Sequence, residues 1–262
     1  LSQSIVNTVQ LFKIASDMGN TDAMFFLGAF YQKGYGVSQD KAKAIEFLQQ
    51  AADMGNTKAI NSLALCYKKG DCVAQGNEKA IKLFQQAVDL SDSGAMFNLA
   101  VCYLDGDGVP QDKSKAIQLF QRAADLSHPN ACFYLAVCYM NGDGVSQDKK
   151  RAIQLYQQAA NLSHTNAMVN LAVCYKKGYG VAQNKTKAIE LFHRAVALGN
   201  TDAMVNLAIC FENGDGVAQD KSKAIQLYQQ ASDLGNTDAM NILEYCFERG
   251  DGVSQDQKEN SP

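Results

Sequence analysis

The motif LAVCY stands at 99–103, 135–139 and 171–175, with LALCY at 63–67 and LAICF at 207–211, each copy 36 residues from the next. Gly34, Gly70, Gly106, Gly142, Gly178, Gly214 and Gly250 keep the same 36-residue interval. So do Ala23, Ala59, Ala95, Ala131, Ala167, Ala203 and Ala239, each with a leucine four residues later. Two further alanine ladders run from Ala44 to Ala224 and from Ala51 to Ala231. Self-similarity at one fixed period means a single supersecondary unit written repeatedly, whose apolar face is covered only when copies stack.

Each unit reads as two helices. Helix A, as in TNAMVNLAVCYKK (165–177), places Ala167, Leu171, Ala172 and Tyr175 on one face at helical spacing. Its N-cap slot holds Asn20, Asn56, Asp92, His128, His164, Asn200 and Asn236, mostly residues whose side chains accept from unpaired backbone N–H groups. The glycine ladder ends helix A, since a left-handed C′ residue is easiest without a Cβ. Helix B follows Asp40, Asp112, Asp148, Asn184 or Asp220 and carries K-A-I-x-L-[FY], with Ala188, Ile189, Phe192 and Ala195 as an inward stripe. Small alanines allow close helix crossings, while larger apolar side chains fill the space between layers. The expected fold is all-α: an α-solenoid of stacked antiparallel helix pairs, with 14 helices and no sheet.

The pattern resembles the Sel-one-like repeat (SLR) family, a longer-period relative of the tetratricopeptide repeat. The residues that carry the resemblance are Ala23, Leu27, Gly28 and Tyr31, then Gly34, Gly36, Val37 and Asp40, then Lys43, Ala44, Phe47, Leu48, Ala51 and Ala52. It extends over about residues 5 to 253. The resemblance implies a right-handed superhelix with helices A on the concave side, and scaffold or adaptor proteins without activity of their own. The register divides the chain into an N-terminal half-repeat at 1–20 (a helix B), six full repeats at 21–236, a capping helix A and turn at 237–253, and a polar tail at 254–262. Glu244 stands where other repeats have alanine or glycine, as suits an uncovered outer face.

The formal net charge is −3, with 24 basic and 27 acidic residues spread evenly. No basic face of the kind that holds nucleic acid is visible, so no nucleic-acid partner is expected. No apolar run reaches the ~18 residues of a membrane span, so no membrane insertion is expected. Eight cysteines without a CxxC motif point to a reducing compartment, the cytoplasm, with a secreted or lumenal location as the alternative. The chain opens at Leu1 rather than an initiator methionine, which leaves room for a targeting segment or further domains ahead of it.

Candidate chemistry is thin. Cys66, Cys102, Cys138, Cys174, Cys210 and Cys246 share one helix A position. Stacked layers would hold them ~9–10 Å apart, too far for the ~7 Å Cα limit of a disulfide or for convergent ~2.3 Å zinc ligation. They read as buried, reduced spacers. Cys72 replaces the second glycine of a turn and Cys132 a methionine. DGDGV (105–109) has no glutamate at the twelfth loop position, where Ala116 stands, and no glycine-lysine-serine/threonine follows it. His128, His164 and His193 join no catalytic constellation. No catalytic residue, metal ligand or cofactor is assigned, and the chain is not expected to be an enzyme.

The expected function is a non-catalytic interaction scaffold that binds a partner protein or an extended peptide. A structural spacer between flanking domains is the alternative, and a repeat RNA reader a weaker one, because the charge is acidic and the period is 36. The candidate partner-binding residues are Asn98, Tyr134, Asn170 and Asn206, which share the position before the core leucine. With the positions four before, three after and seven after, they form one helical stripe away from much of the core face. Asparagine offers both a donor and an acceptor to a peptide backbone, but it also suits a bond to a neighbouring turn.

Overall fold

The computed structural model describes residues 3–249; the tail expected at 254–262 lies outside them. Among the described residues there are fourteen α-helices and no strand. The helices A are α2 (Thr21–Lys33), α4 (Thr57–Lys69), α6 (Ser93–Asp105), α8 (Pro129–Asn141), α10 (Thr165–Lys177), α12 (Thr201–Asn213) and α14 (Thr237–Arg249). The helices B are α1 (Gln3–Asp17), α3 (Lys41–Asp53), α5 (Asn77–Asp89), α7 (Lys113–Asp125), α9 (Lys149–Asn161), α11 (Lys185–Ala197) and α13 (Lys221–Asp233). The chain forms two compact units, Leu1–Ala131 and Cys132–Pro262. In the first, each helix from α1 to α7 packs on the next; in the second, the same holds from α9 to α14.

The helix ends follow the expected chemistry. The side chains of Asn20, Asn56, Asp92, His164 and Asn200 accept from the backbone N–H three residues on. Asp40, Asp112, Asp148, Asn184 and Asp220 do the same for helices B. Gly76 replaces the acid before α5, which has no side-chain cap. Helices A close on left-handed glycines: the Gly178 N–H donates to the Cys174 carbonyl at 2.8 Å, and the Tyr179 N–H shares that acceptor at 3.0 Å.

The core consists of the ladders. Ala59, Ala95, Ala131, Ala167, Ala203 and Ala239 are fully buried, as are Ala51, Ala87, Ala123, Ala159, Ala195 and Ala231. Phe84, Phe120, Tyr156, Phe192 and Tyr228 occupy one helix B position and are 3% exposed or less. Burying each such ring contributes about 1.5–3 kcal/mol. Gly28 shows how tight these crossings are, since a Cβ there would lie 2.8 Å from Leu48 Cγ. Val9 of α1 is buried like the core of a later helix B, and Glu244 is exposed.

All six ladder cysteines are free thiols and buried. Burial is the leading cause that raises the thiol pKa values of Cys66, Cys102, Cys174 and Cys210, to about 11 for Cys66 and Cys174. Cys72 is half-buried and adopts φ 74° where other repeats place glycine.

Candidate interaction surface

The stripe before the core leucines is partly accessible: Asn98, Asn170 and Asn206 are half-buried and Tyr134 is exposed. Each asparagine uses an amide N–H inside its own unit. Asn98 Nδ2 donates to Asn61 Oδ1 at 2.9 Å, and Asn170 Nδ2 to the Tyr156 hydroxyl at 3.3 Å. Asn206 Nδ2 donates to the Asp202 carbonyl one turn back at 2.8 Å. Each side chain still carries a second N–H and a carbonyl oxygen with two acceptor sites.

In the second unit, Val137, Asn141, Asn170 and Val173 are stripe positions of α8 and α10. Together with Tyr156 and Tyr179 they line a cavity of about 270 Å3. In the first unit, Lys33, Ser62, Leu65 and Lys69, the corresponding positions of α2 and α4, line one of about 210 Å3. The stripe is therefore concave between successive helices A within each unit. These hollows are shallow and mixed in polarity, a shape that takes side chains of a partner rather than enclosing a small substrate.

One layer of side chains beneath this surface was not anticipated from the repeat pattern. Lys68 Nζ reaches the Cys102 sulfur at 3.3 Å and the Asp107 carboxylate at 3.3 Å. Lys176 makes the equivalent contacts with Cys210 at 3.5 Å and Asp215 at 3.3 Å. Gln32 takes the place of lysine before Cys66 and Asp71. The start of helix B adds a second donor to the same carboxylates: Lys41 to Asp71 at 2.8 Å and Lys185 to Asp215 at 2.7 Å. These donors, led by Lys41 and Lys185, hold the Asp71 and Asp215 carboxyls below their usual range. The signal was present in the sequence, since a lysine or glutamine at 32, 68 and 176 accompanies an aspartate 39 residues later.

Among the described residues, no three His, Cys, Asp or Glu side chains gather to hold a metal ion. Nor is any described helix long and apolar enough to cross a membrane.

The profile of the Sel1 repeat matches the chain seven times, at 21–56, 57–92, 93–128, 129–164, 165–200, 201–236 and 237–259. No match is found among curated proteins. Among solved structures, a Sel1 repeat protein from Oxalobacter formigenes is 29% identical with a TM-score of 0.78, the match covering 84% of this chain and 90% of that one. A protective antigen of uropathogenic Escherichia coli with an SLR fold is 28% identical with a TM-score of 0.78; the match covers 96% of this chain, which spans only 54% of that antigen. An immunity protein from Pseudomonas aeruginosa shares the fold at 21% identity and a TM-score of 0.58, with 83% of this chain and 82% of that one covered. Seven consecutive profile matches, in the register of the observed helix pairs, leave one assignment: the chain belongs to the Sel1 repeat family.

Proposed function

We propose that this chain is a non-catalytic scaffold that holds a partner protein, or an extended segment of one, along the helix A stripe. Sel1 repeat proteins are in general protein-interaction scaffolds. The observation that carries the reading is that stripe positions line a hollow between successive helices A in both units, at Ser62 and Leu65 in one and at Asn170 and Val173 in the other. Tyr134 adds an exposed aromatic ring to the stripe in the second unit, and tyrosine supplies large contact area at interfaces. Asn170 and Asn206 offer their remaining amide groups to a peptide backbone.

The test compares wild type with an Asn170→Ala, Asn206→Ala double variant for melting temperature and for capture of a partner from lysate of the source cell. The captured partner is then purified and its Kd measured against both. The expected result is a fold retained to within a few degrees and binding weakened at least tenfold, about 1.4 kcal/mol. Unchanged affinity would move the interface to the loop edge or the opposite face and overturn the stripe.

A further inference from the structure

The carboxylate that joins successive repeats is replaced by tyrosine at two turns, Tyr35 and Tyr179. Only the second faces a lysine at the start of the preceding helix B, since Ile5 holds that position before Tyr35. Asp71, Asp107 and Asp215 sit just after the helix A glycine and meet the first residue of the preceding helix B: Lys41 at 2.8 Å, Asn77 at 3.0 Å and Lys185 at 2.7 Å. At the corresponding place in the second unit the residue is Tyr179, and Lys149 Nζ lies 6.0 Å from its ring centroid. The other basic partner of these aspartates, Lys68 or Lys176, is replaced there by Met140. Lys149 has thus lost the carboxylate that its equivalents bind. Among the described residues, neither Lys149 nor its neighbour Lys150 forms an ion pair.

Beside this junction is an open cleft of about 800 Å3, lined in part by Tyr139, Lys149, Lys150, Arg151, Gly178 and Gly180. No other helix B begins with three consecutive basic residues. Asp148 also lines the cleft, but its side chain accepts from the Arg151 N–H as the N-cap of α9. The basic groups are held in place. A Cβ on Gly180 would come within 2.7 Å of Lys149 Cβ, so the glycine backbone packs directly on the lysine stem. The Arg151 guanidinium lies over the Tyr139 ring at 4.9 Å. Lys149 and Lys150 are exposed at its edge.

We infer that this cleft is a second docking site, for an acidic peptide segment of a protein partner. The inference rests on the scaffold reading and adds the sign of the partner's charge. The chain as a whole is slightly net negative, so an acidic segment is favoured where positive charge is locally in excess. That place is Lys149, which lacks the carboxylate its equivalents bind, and the adjacent Lys150. Carboxylates of the segment would take the role that Asp71 and Asp215 play for Lys41 and Lys185. The open cleft, with a half-buried Tyr139 and the exposed glycine turn, gives a main chain room to lie beside them.

The probe is a fluorescein-labelled poly-glutamate peptide of about ten residues, followed by anisotropy on the full chain at low salt, where exposed charge pairs are least screened. Saturable binding is expected, weakened at least tenfold in Lys149→Gln, Lys150→Gln. It should also weaken at least tenfold in Tyr179→Asp, which restores the missing carboxylate at an exposed position. A Lys221→Gln, Lys223→Gln control makes the same change in charge elsewhere in the unit and should leave affinity within twofold. Equal loss in the control, or no saturable binding, overturns the site. So does tighter binding of a single-stranded oligonucleotide through the same lysines, or a lysine-dependent dimer of the chain by sedimentation. If poly-glutamate fails while Asn170→Ala, Asn206→Ala still abolishes partner capture, the cleft is wrong and the scaffold reading stands.

Discussion

Asn98 of α6 donates from Nδ2 to Oδ1 of Asn61 of α4 across 2.9 Å, so two helices A of neighbouring repeats are tied by an amide pair. Both residues are half-buried, and a neutral hydrogen bond in such a place contributes about 0.5–1.5 kcal/mol. Asn98→Ala and Asn61→Ala are each expected to lower stability by about that amount. The double variant should lose less than the sum, because the two changes remove the same bond. Strict additivity in urea unfolding would show that the pair does not hold the layers.

The alanine ladder is the least tolerant part of the molecule. Ala167 is fully buried at a helix crossing, so Ala167→Leu is expected to cost about 1–3 kcal/mol by overpacking. Lys185→Gln removes the 2.7 Å pair with Asp215, but the lysine side chain is 48% exposed. Its loss should be at most about 1 kcal/mol, as for other solvent-screened pairs. Equal melting temperatures for the two variants would refute the assignment of the inward face.

The loop between α4 and α5 departs twice from its sister loops. Cys72 holds φ 74° where Gly36, Gly108, Gly144, Gly180 and Gly216 stand in other copies. A left-handed conformation costs a non-glycine residue roughly 1 kcal/mol, so Cys72→Gly is expected to stabilise. Gly76 leaves α5 without a side-chain cap, at φ −152° and ψ 81°, close to the geometry of the capping Asp40. A Cβ at Gly76 meets nothing nearer than 3.7 Å. Gly76→Asp should therefore add about 0.5–1 kcal/mol from the cap and the stiffer unfolded chain. A fall in melting temperature for both would contradict the repeat-by-repeat comparison.

Native thiol titration separates the ladder from the loop. Cys66, Cys102, Cys138, Cys174, Cys210 and Cys246 are buried and so is Cys132, while Cys72 is half-buried. Burial also keeps the Cys66 and Cys174 thiols protonated, with pKa values near 11, and only the thiolate reacts. Burial and then Asp71 also raise the Cys72 thiol. A thiol reagent at mildly alkaline pH is therefore expected to modify Cys72 first, through its greater access, and the others only on unfolding, when all eight cysteines become available. Six or more fast thiols in the folded chain would defeat the spacer role.

Helices and their ends were legible in the sequence because they depend on contacts within about four residues. The cap at Asn200, the stop at Gly178 and the inward stripe Ala188, Ile189, Phe192 and Ala195 are all local patterns that the 36-residue register repeats and thereby reinforces. The cross-repeat links were not legible in the same way. Lys176 to Asp215 and Asn98 to Asn61 join residues 39 and 37 apart, and their meeting depends on how one layer sits on the next. The stripe residues show the difference. Their shared position followed from periodicity, whereas the separate partner of each asparagine, at Asn61, Tyr156 or the Asp202 carbonyl, depends on the local neighbours. The cleft at Lys149 was not legible in the sequence, because a tyrosine at 179 reads as ordinary turn variation unless the bonds from Lys41 and Lys185 to the aspartates of sister repeats are known.

Two histidines give the stack a pH dependence of known sign. His128 Nδ1 accepts from the Ala131 N–H at 3.3 Å and His164 Nδ1 from the Ala167 N–H at 3.1 Å. Their rings stack on Phe97 and Phe133, with centroids 5.1 and 4.6 Å apart. Burial holds both imidazoles below the ordinary value of 6.5. Protonation would remove the capping acceptor and set a positive charge against the positive end of a helix. A folded-state value below the unfolded one means that the unfolded chain binds protons first as pH falls. The stabilisation is then complete above 6.5 and declines as pH drops from there through the folded-state value. Asp71 and Asp215 are held below the ordinary carboxylate value of 3.8, so they titrate beneath that window. The melting temperature is expected to fall between about pH 7.5 and pH 5.5, and to fall less in His128→Asn, His164→Asn. Asparagine keeps a capping acceptor, as Asn20, Asn56 and Asn200 do, and His193 is common to both proteins, so its contribution cancels. Equal slopes in the two proteins would mean that other groups set the pH dependence.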